Sequence, residues 1–274
     1  MKIYLAIVPQ TLINNVISDM EYPNILNSFA YKKAIDTLTY KPTEFTLDSG
    51  AFTAWNVGKE VDIEQYKAWS QQMSIEYPNV RCVNLDVIPG EVGRTSTAAE
   101  RIAGMKISLD NADNLRDAGL NVMEVFHQDE PFDYLDLLIS RLPSRESVLC
   151  ISPRNDVSNK AKLIWHKQVL KHLVDTVGKE NLPRMHGLAV TAKSLILEFP
   201  YFSADSSSYA APVRFGRVSD YDGKMITIEE FLGHNHRNDK YSGVSIVIRR
   251  MIDEYIRLEQ QTTSIWASRG IVWE

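Results

Sequence analysis

Short apolar runs alternate with helix-period segments along the whole chain of 274 residues. That alternation restricts the fold more than any single motif does. The apolar runs are Ile3 to Val8, Glu44 to Leu47, Val80 to Asp86, Asn121 to His127, Ser147 to Ile151, Arg184 to Val190 and Tyr201 to Ala204, with a weaker one at Val213 to Gly216. They are apolar on both parities, as strands covered on both faces must be. Between them lie helices with recognisable ends. Asp62 precedes a face of Ile63, Tyr66, Trp69 and Met73, and Gln65 completes a capping-box pattern. Ser96 opens a helix running to Asp117, with Gly119 just beyond it. Ser158 opens another, which turns Leu163, Leu170, Leu173, Val174 and Val177 inward and stops at Gly178. The last long helix runs from about Val244 to Leu258 on a stripe of Val247, Ile248, Met251, Ile252 and Tyr255. Strand and helix alternating roughly seven or eight times over about 250 residues predict an α/β fold, a (β/α)8 TIM barrel formed as a single domain over 1–274. A doubly wound open sheet is the alternative. Such a sheet usually carries a Gly-rich phosphate loop after its first strand, where this chain has Val8-Pro9-Gln10-Thr11. A polar segment at 217–241 is long for a compact barrel and reads as an insertion that contacts substrate.

Composition narrows the class. Hydrophobic residues make up 44 % and charged residues 24 %, as in an ordinary folded protein. No apolar run approaches the roughly 18 residues of a membrane span. The start, Met1 to Pro9, lacks a small-residue cleavage site and reads as a first core strand. A net charge of −5 excludes a protein that coats nucleic acid through bulk charge, while leaving room for local basic contacts. Cys82 and Cys150 lie in apolar runs with no Cys or His at zinc-ligand spacing. They read as buried thiols of a cytoplasmic protein. No metal and no cofactor are expected.

In a barrel, catalytic groups sit at the C-terminal ends of the strands. Those ends carry Asp48 and Ser49, Asp86, His127 and Gln128, Ser152 and Arg154, His186 and Gly187, and Asp205 with Ser206. Paired carboxylates on different strand ends are what chemistry at a sugar C1 needs, one ionised towards the developing positive charge and one moving a proton. Gly50 and Ala51 let backbone approach a ligand, and Phe52 or Trp55 could stack on a flat ring. Asp205, followed by three serines, suits a nucleophile held by N–H groups and hydroxyls. Asp86 could accept from a purine-like edge, and the Gln128 amide could read one with both donor and acceptor. Each of these Asp residues could equally cap a helix or open a turn, and His186 could be a satisfied core histidine. His234-Asn235-His236 has the letters of a nuclease motif but lies in the polar segment without that motif's ββα setting. A metal site built from Asp48, Asp86, Asp205, His127 and His186 would ordinarily include a His-x-His on the first strand, which has no histidine.

The order of these motifs resembles the tRNA-guanine transglycosylases. Asp48-Ser49-Gly50-Ala51-Phe52 resembles the family's Asp-Ser-Gly-Gly-Phe. Asp86, shortly before Pro89, falls in the place of its base-recognition segment. The strand ending in Gln128 is similar to its Val-Gln-Gly-Gly, and His186-Gly187-Leu188-Ala189-Val190 to its Met-Gly-Val-Gly. Asp205 falls where its Phe-Asp nucleophile sits. The resemblance covers about Phe45 to Asp205. It implies Asp205 as nucleophile on the sugar C1 and Asp48 as the acid/base group. Asp86 and Gln128, with Ser49, Gly50, Phe52, His127, His186, Gly187 and Ser206 around them, would form the base site. The chain departs from the family at Gly50-Ala51, at Gln128-Asp129-Glu130, and at Pro212-Val213-Arg214, which lies further from the nucleophile than the family's Pro-Thr-Arg. The family's Cys-x-Cys-x-x-Cys…His zinc site has no counterpart, because no cysteine follows Cys150. The chain therefore looks most like the short, zinc-free phage and bacterial relatives that insert 7-deazaguanines into DNA. The partners this implies are DNA, in preference to tRNA, and a 7-deazaguanine base, with Arg154, Arg214, Arg217 and Arg237 as phosphate ligands. Relatives form homodimers. The same chemistry on tRNA or a free nucleoside, hydrolysis included, and a catalytically silent nucleic-acid-binding barrel are the alternatives.

Overall fold

The computed structural model describes residues 1–273 except 92, 93, 95, 220–224 and 234–239; of 214, 219, 225 and 240–242 the backbone alone is described. Nine parallel segments make one sheet in the order β5-β4-β3-β2-β1-β9-β8-β7-β6. They are β1 (Lys2–Ala6), β2 (Asn24–Ser28), β3 (Glu44–Asp48), β4 (Arg81–Val83), β5 (Val122–Met123), β6 (Val125–His127), β7 (Val148–Ser152), β8 (Arg184–Gly187) and β9 (Ser203–Ser206). The segments at the two ends of that order are consecutive in the chain. β5 pairs with β4, and β6 with β7. Glu124 alone separates them, and its carbonyl accepts from Cys150 N at 2.8 Å. β5 and β6 are therefore one stave, and the sheet returns on itself as an eight-staved TIM barrel.

Helices cross between the staves: α1 (Thr11–Met20), α2 (Ala51–Asn56), α3 (Ile63–Glu76), α4 (Ala98–Asp117), α5 (Phe132–Ser140), α6 (Asn159–Val177) and α7 (Lys193–Ile196). Their ends follow the capping chemistry. Asp62 accepts from Glu64 N and Gln65 N, Ser158 accepts from Ala161 N, and Gly178 terminates α6 at φ 82°. At α4 the cap is Thr97, one residue later than expected, because Thr97 and Glu100 form a reciprocal capping box.

Two strand expectations change. β2 was not legible in the sequence: Asn-Ile-Leu-Asn-Ser has no apolar run, yet it pairs with both β1 and β3. Val213 to Gly216, read as a weak strand, belongs to α8 (Ala211–Phe215); Pro212 suits the first turn, and Gly216 ends the helix in the left-handed region at φ 67°. The segment at 217–241 is not all loop. An antiparallel hairpin of β10 (Arg217–Ser219) and β11 (Met225–Thr227) leads to α9 (Ile228–Leu232). The closing helix α10 (Lys240–Ser268) is longer at both ends than its apolar stripe. Arg237 and the His234-Asn235-His236 triplet lie outside the described residues, and of Arg214 only the backbone is described.

Period-2 alternation on the staves separates two apolar layers. Leu149 and Ile151 join the large core between sheet and helices, whereas Val148 and Cys150 join Val83, Met123, Val125 and Phe202 in a smaller cluster. Trp273 packs against that smaller cluster and meets Phe202 edge-on, with centroids 6.4 Å apart. The aromatic tail thus packs at the end of the barrel opposite the strand C-termini. Both cysteines are buried and free. No helix among the described residues is long and apolar enough to cross a membrane.

Candidate active site

The inward positions of β3, β8 and β9 turn polar near their C-terminal ends: Thr46 and Asp48, His186, then Ser203 and Asp205. Register brings them together. β8 and β9 align His186 with Ser203, and β9 and β1 align Asp205 with Tyr4. Asp205 Oδ1 accepts from Ala189 N at 3.0 Å and lies 3.2 Å from His186 Nε2. His186 Nδ1 lies 2.8 Å from Ser203 Oγ, and the His186 ring meets Tyr4 edge-on at 5.8 Å. His186 is thus both a buried, satisfied histidine and a direct partner of Asp205.

The backbone around this pair is constrained. Ala189 adopts φ +53°, a costly conformation for an L residue, and it is Ala189 that donates to Asp205. A Cβ on Gly187 would come within 2.9 Å of the Tyr201 ring and 3.0 Å of Val190 Cβ. The Gly of the His186-Gly187 motif is therefore required by the close approach of Tyr201.

Asp48 ends β3 beside Ser28 at the end of β2. Its Oδ2 accepts from Gly50 N at 3.1 Å. Gly50 sits at φ +75°, where a Cβ would also meet Ala30 N at 3.0 Å. Burial, reinforced by repulsion from Asp205 and Asp86 and opposed by Ser28 and the Gly50 N–H, lifts the Asp48 carboxyl to about 6. Beneath these groups, Cys150 is pushed well up, first by burial and then by the charges of Asp86, Asp205 and Asp48. Three carboxylates from β3, the chain after β4, and β9 therefore surround one shaft.

The raised pKa has a measurable consequence. Between the ordinary 3.8 and about 6, folded Asp48 keeps a proton that the unfolded chain has released, so stability declines as pH rises through this window. Asp48→Asn is expected to be more stable than wild type at pH 8, by roughly 1–3 kcal/mol, and to lose that advantage below about pH 4. Urea denaturation at the two pH values checks it; a variant less stable at pH 8 contradicts the assigned environment.

On the far side of the shaft, His127 Nε2 lies 2.6 Å from Asp86 Oδ2, and His127 N donates to Glu130 Oε2 at 2.7 Å. Burial works against charge on His127, but the Asp86 hydrogen bond and charge, with Glu130, outweigh it and lift the imidazole to about 9. Burial raises Glu130 to about 7, against the pull of His127. Glu130 is a site residue that sequence reasoning registered as a departure and nothing more.

The remaining expected residues divide. Phe52 is exposed, while Trp55 donates to Gly90 O at 2.9 Å. Ser49 is buried, and its hydroxyl accepts from Ala51 N at 3.4 Å. Gln128 Oε1 accepts from Arg154 N at 3.1 Å. Arg154 itself pairs with Asp129 and Asp156, so its guanidinium braces two loops. Arg217 is exposed at the start of β10. Ser206 donates to Ser208 Oγ at 2.8 Å, and Ser208 lies 2.6 Å from Tyr255 OH on α10. Tyr255 read as a core stripe residue; its hydroxyl reaches the rim because α10 packs against the segment after β9. Among the described residues no three His, Cys, Asp or Glu side chains converge as metal ligands. A cavity of about 770 Å³ opens at the opposite mouth, lined by Lys41, Arg81, Asn121, Ser147 and Arg184 among others. Glu44 and Glu146 also line it, and the barrel's strand C-termini point away from it.

No family model matches the chain, and no curated protein matches it in sequence. Among solved structures it is similar to triosephosphate isomerase from Bartonella henselae, at 12 % identity and a TM-score of 0.43 over 76 % of this chain and 93 % of that one. The strand order defines the class by itself: a TIM barrel whose C-terminal rim gathers Asp48, Asp86, His127, His186 and Asp205.

Proposed function

We propose that this barrel is a base-exchange transglycosylase that replaces guanine in DNA with a 7-deazaguanine derivative through a covalent Asp205–sugar intermediate. The observation that carries the reading is the inequality of the two carboxylates. The Asp48 carboxyl is raised to about 6, close enough to neutral pH to give up and retake a proton, whereas Asp205 Oδ1 accepts from Ala189 N and lies 3.2 Å from His186 Nε2. In the first half-reaction Asp205 Oδ2 bonds to the sugar C1. The C1–N9 bond breaks, its electron pair leaves with guanine, and Asp48 supplies the proton. In the second, the incoming base attacks C1, the C1–O bond breaks, the pair returns to the carboxylate, and Asp48 takes the proton back. Asp86, bonded through Oδ2 to His127 Nε2, is proposed to accept from a purine edge through its other oxygen, and the Gln128 amide, whose oxygen accepts from Arg154 N, to donate through its nitrogen. The preference for DNA rests on the missing zinc cysteines. Arg217, with Arg214 and Arg237, is proposed to grip phosphate.

The test is base exchange. The full chain is incubated with a radiolabelled 7-deazaguanine and with DNA, tRNA or free nucleosides, and label in polymer and guanine released are both measured. Label entering DNA with equal guanine release is expected. Label in tRNA alone reassigns the polymer, release without label makes the enzyme a hydrolase, and no release from any substrate sinks the reading.

A further inference from the structure

We propose that His186 is a positioning residue that selects which oxygen of Asp205 attacks and speeds the departure of that carboxylate from the sugar; this rests on the base-exchange reading. Asp205 presents two oxygens. Oδ1 is occupied by Ala189 N at 3.0 Å and His186 Nε2 at 3.2 Å. Oδ2 is left as the attacking atom. An ionised carboxylate only accepts, so Nε2 must carry the proton. With the proton on Nε2 alone, Nδ1 is the acceptor and the Ser203 hydroxyl, 2.8 Å away, the donor. Ser203 and Asp205 stand two residues apart on β9, on the same face, and His186 is level with Ser203 on β8. The strand register itself therefore holds serine, imidazole and carboxylate in a line, and the Tyr4 ring packs edge-on against the imidazole.

The arrangement acts unequally on the two half-reactions. When Oδ2 is esterified to C1, Oδ1 is the ester carbonyl oxygen and carries little charge. When the incoming base attacks, the electron pair of the C1–O bond returns to the carboxylate, and charge reappears on Oδ1 facing two preset N–H donors. Donors aimed at developing charge lower the barrier of that half-reaction most. The strained Ala189 backbone and the buried ring keep both donors in place before the charge arrives.

Two measurements test this. First, 15N-histidine NMR of the full chain reads the His186 tautomer without any substrate. Protonation at Nε2, with mixed tautomers in Ser203→Ala, is expected; an Nδ1-protonated ring in wild type overturns the proposal. Second, denaturing gels follow formation and decay of the protein–DNA adduct under single turnover. His186→Phe keeps the aromatic contact and removes both nitrogens. It is expected to slow adduct decay about 10- to 100-fold while changing adduct formation far less, so the adduct accumulates. His186→Gln, whose amide nitrogen can replace Nε2, is expected to recover most of the decay rate. Unchanged decay in His186→Phe, with a wild-type adduct present, overturns the positioning role alone. Absence of any adduct in wild type, with no base exchange, overturns the reading beneath it.

Discussion

Asp205→Asn is expected to abolish the covalent adduct and to lower base exchange by about 10⁴-fold or more while leaving the fold intact. Asparagine is the informative replacement here. Its carbonyl oxygen can still accept from Ala189 N and His186 Nε2, so the two donors that ring the aspartate keep their partner. What disappears is the negative oxygen that bonds to C1. Alanine would instead strand both donors in a buried site, at about 1–3 kcal/mol, and would confuse chemistry with stability. The expected pattern is a Tm close to wild type, retained DNA binding that weakens with added salt, and no adduct on denaturing gels. A variant that still forms adduct would place the nucleophile elsewhere. A variant that turns over at wild-type rate without one would end the covalent mechanism.

Glu124→Ala is expected to cause the largest loss of stability of any single replacement argued here. Glu124 lies at the seam where β5 and β6 meet and is 2 % exposed. Arg116 Nη1 donates to its Oε1, and Arg141 Nε lies 3.0 Å from the same oxygen. Asp113 shares the two arginines from a more exposed position. Removing the carboxylate leaves two partly buried guanidiniums with only the more exposed Asp113 beside them, and Arg116 Nε and Nη2 are already short of partners. Breaking such a buried group costs about 3–5 kcal/mol, or a fall of roughly 6–15 °C in Tm. Calorimetry and urea denaturation measure it. Glu124→Gln, which keeps the shape and one acceptor, should fall between. A loss below about 1 kcal/mol would mean that solvent reaches the arginines and that the seam does not depend on them.

The two predictions probe different parts of what the sequence discloses. Asp48 and Asp205 were readable as strand-end carboxylates because strands buried on both faces are marked by apolar residues, and the polar residue that ends such a run stands out. β2 was unreadable for the converse reason. Asn24 donates to Glu259 on the closing helix and Asn27 to Lys32 O, partners outside the strand that no local pattern announces. Val213 to Gly216 misled because four residues cannot separate a strand from a helical turn; Pro212 and Gly216 decided it. Glu124 sits within an apolar run where alternation carries it outward, and its meaning depended on two arginines contributed by other helices.

By itself the sequence determined the alternating βα order, the helix caps at Asp62 and Ser158, and the identity of the carboxylates offered to a rim. These are local matters, set by periodicity, side-chain chemistry and the neighbouring few residues. The tertiary structure decided that β5 and β6 form one stave and close the barrel, that Asp48 lies deep enough beside two other carboxylates to keep a proton near pH 6, and that His186 and Ala189 hold one oxygen of Asp205. Burial, repulsion and hydrogen-bond direction depend on distances between residues far apart in the chain. Strand register, and not sequence proximity, sets those distances.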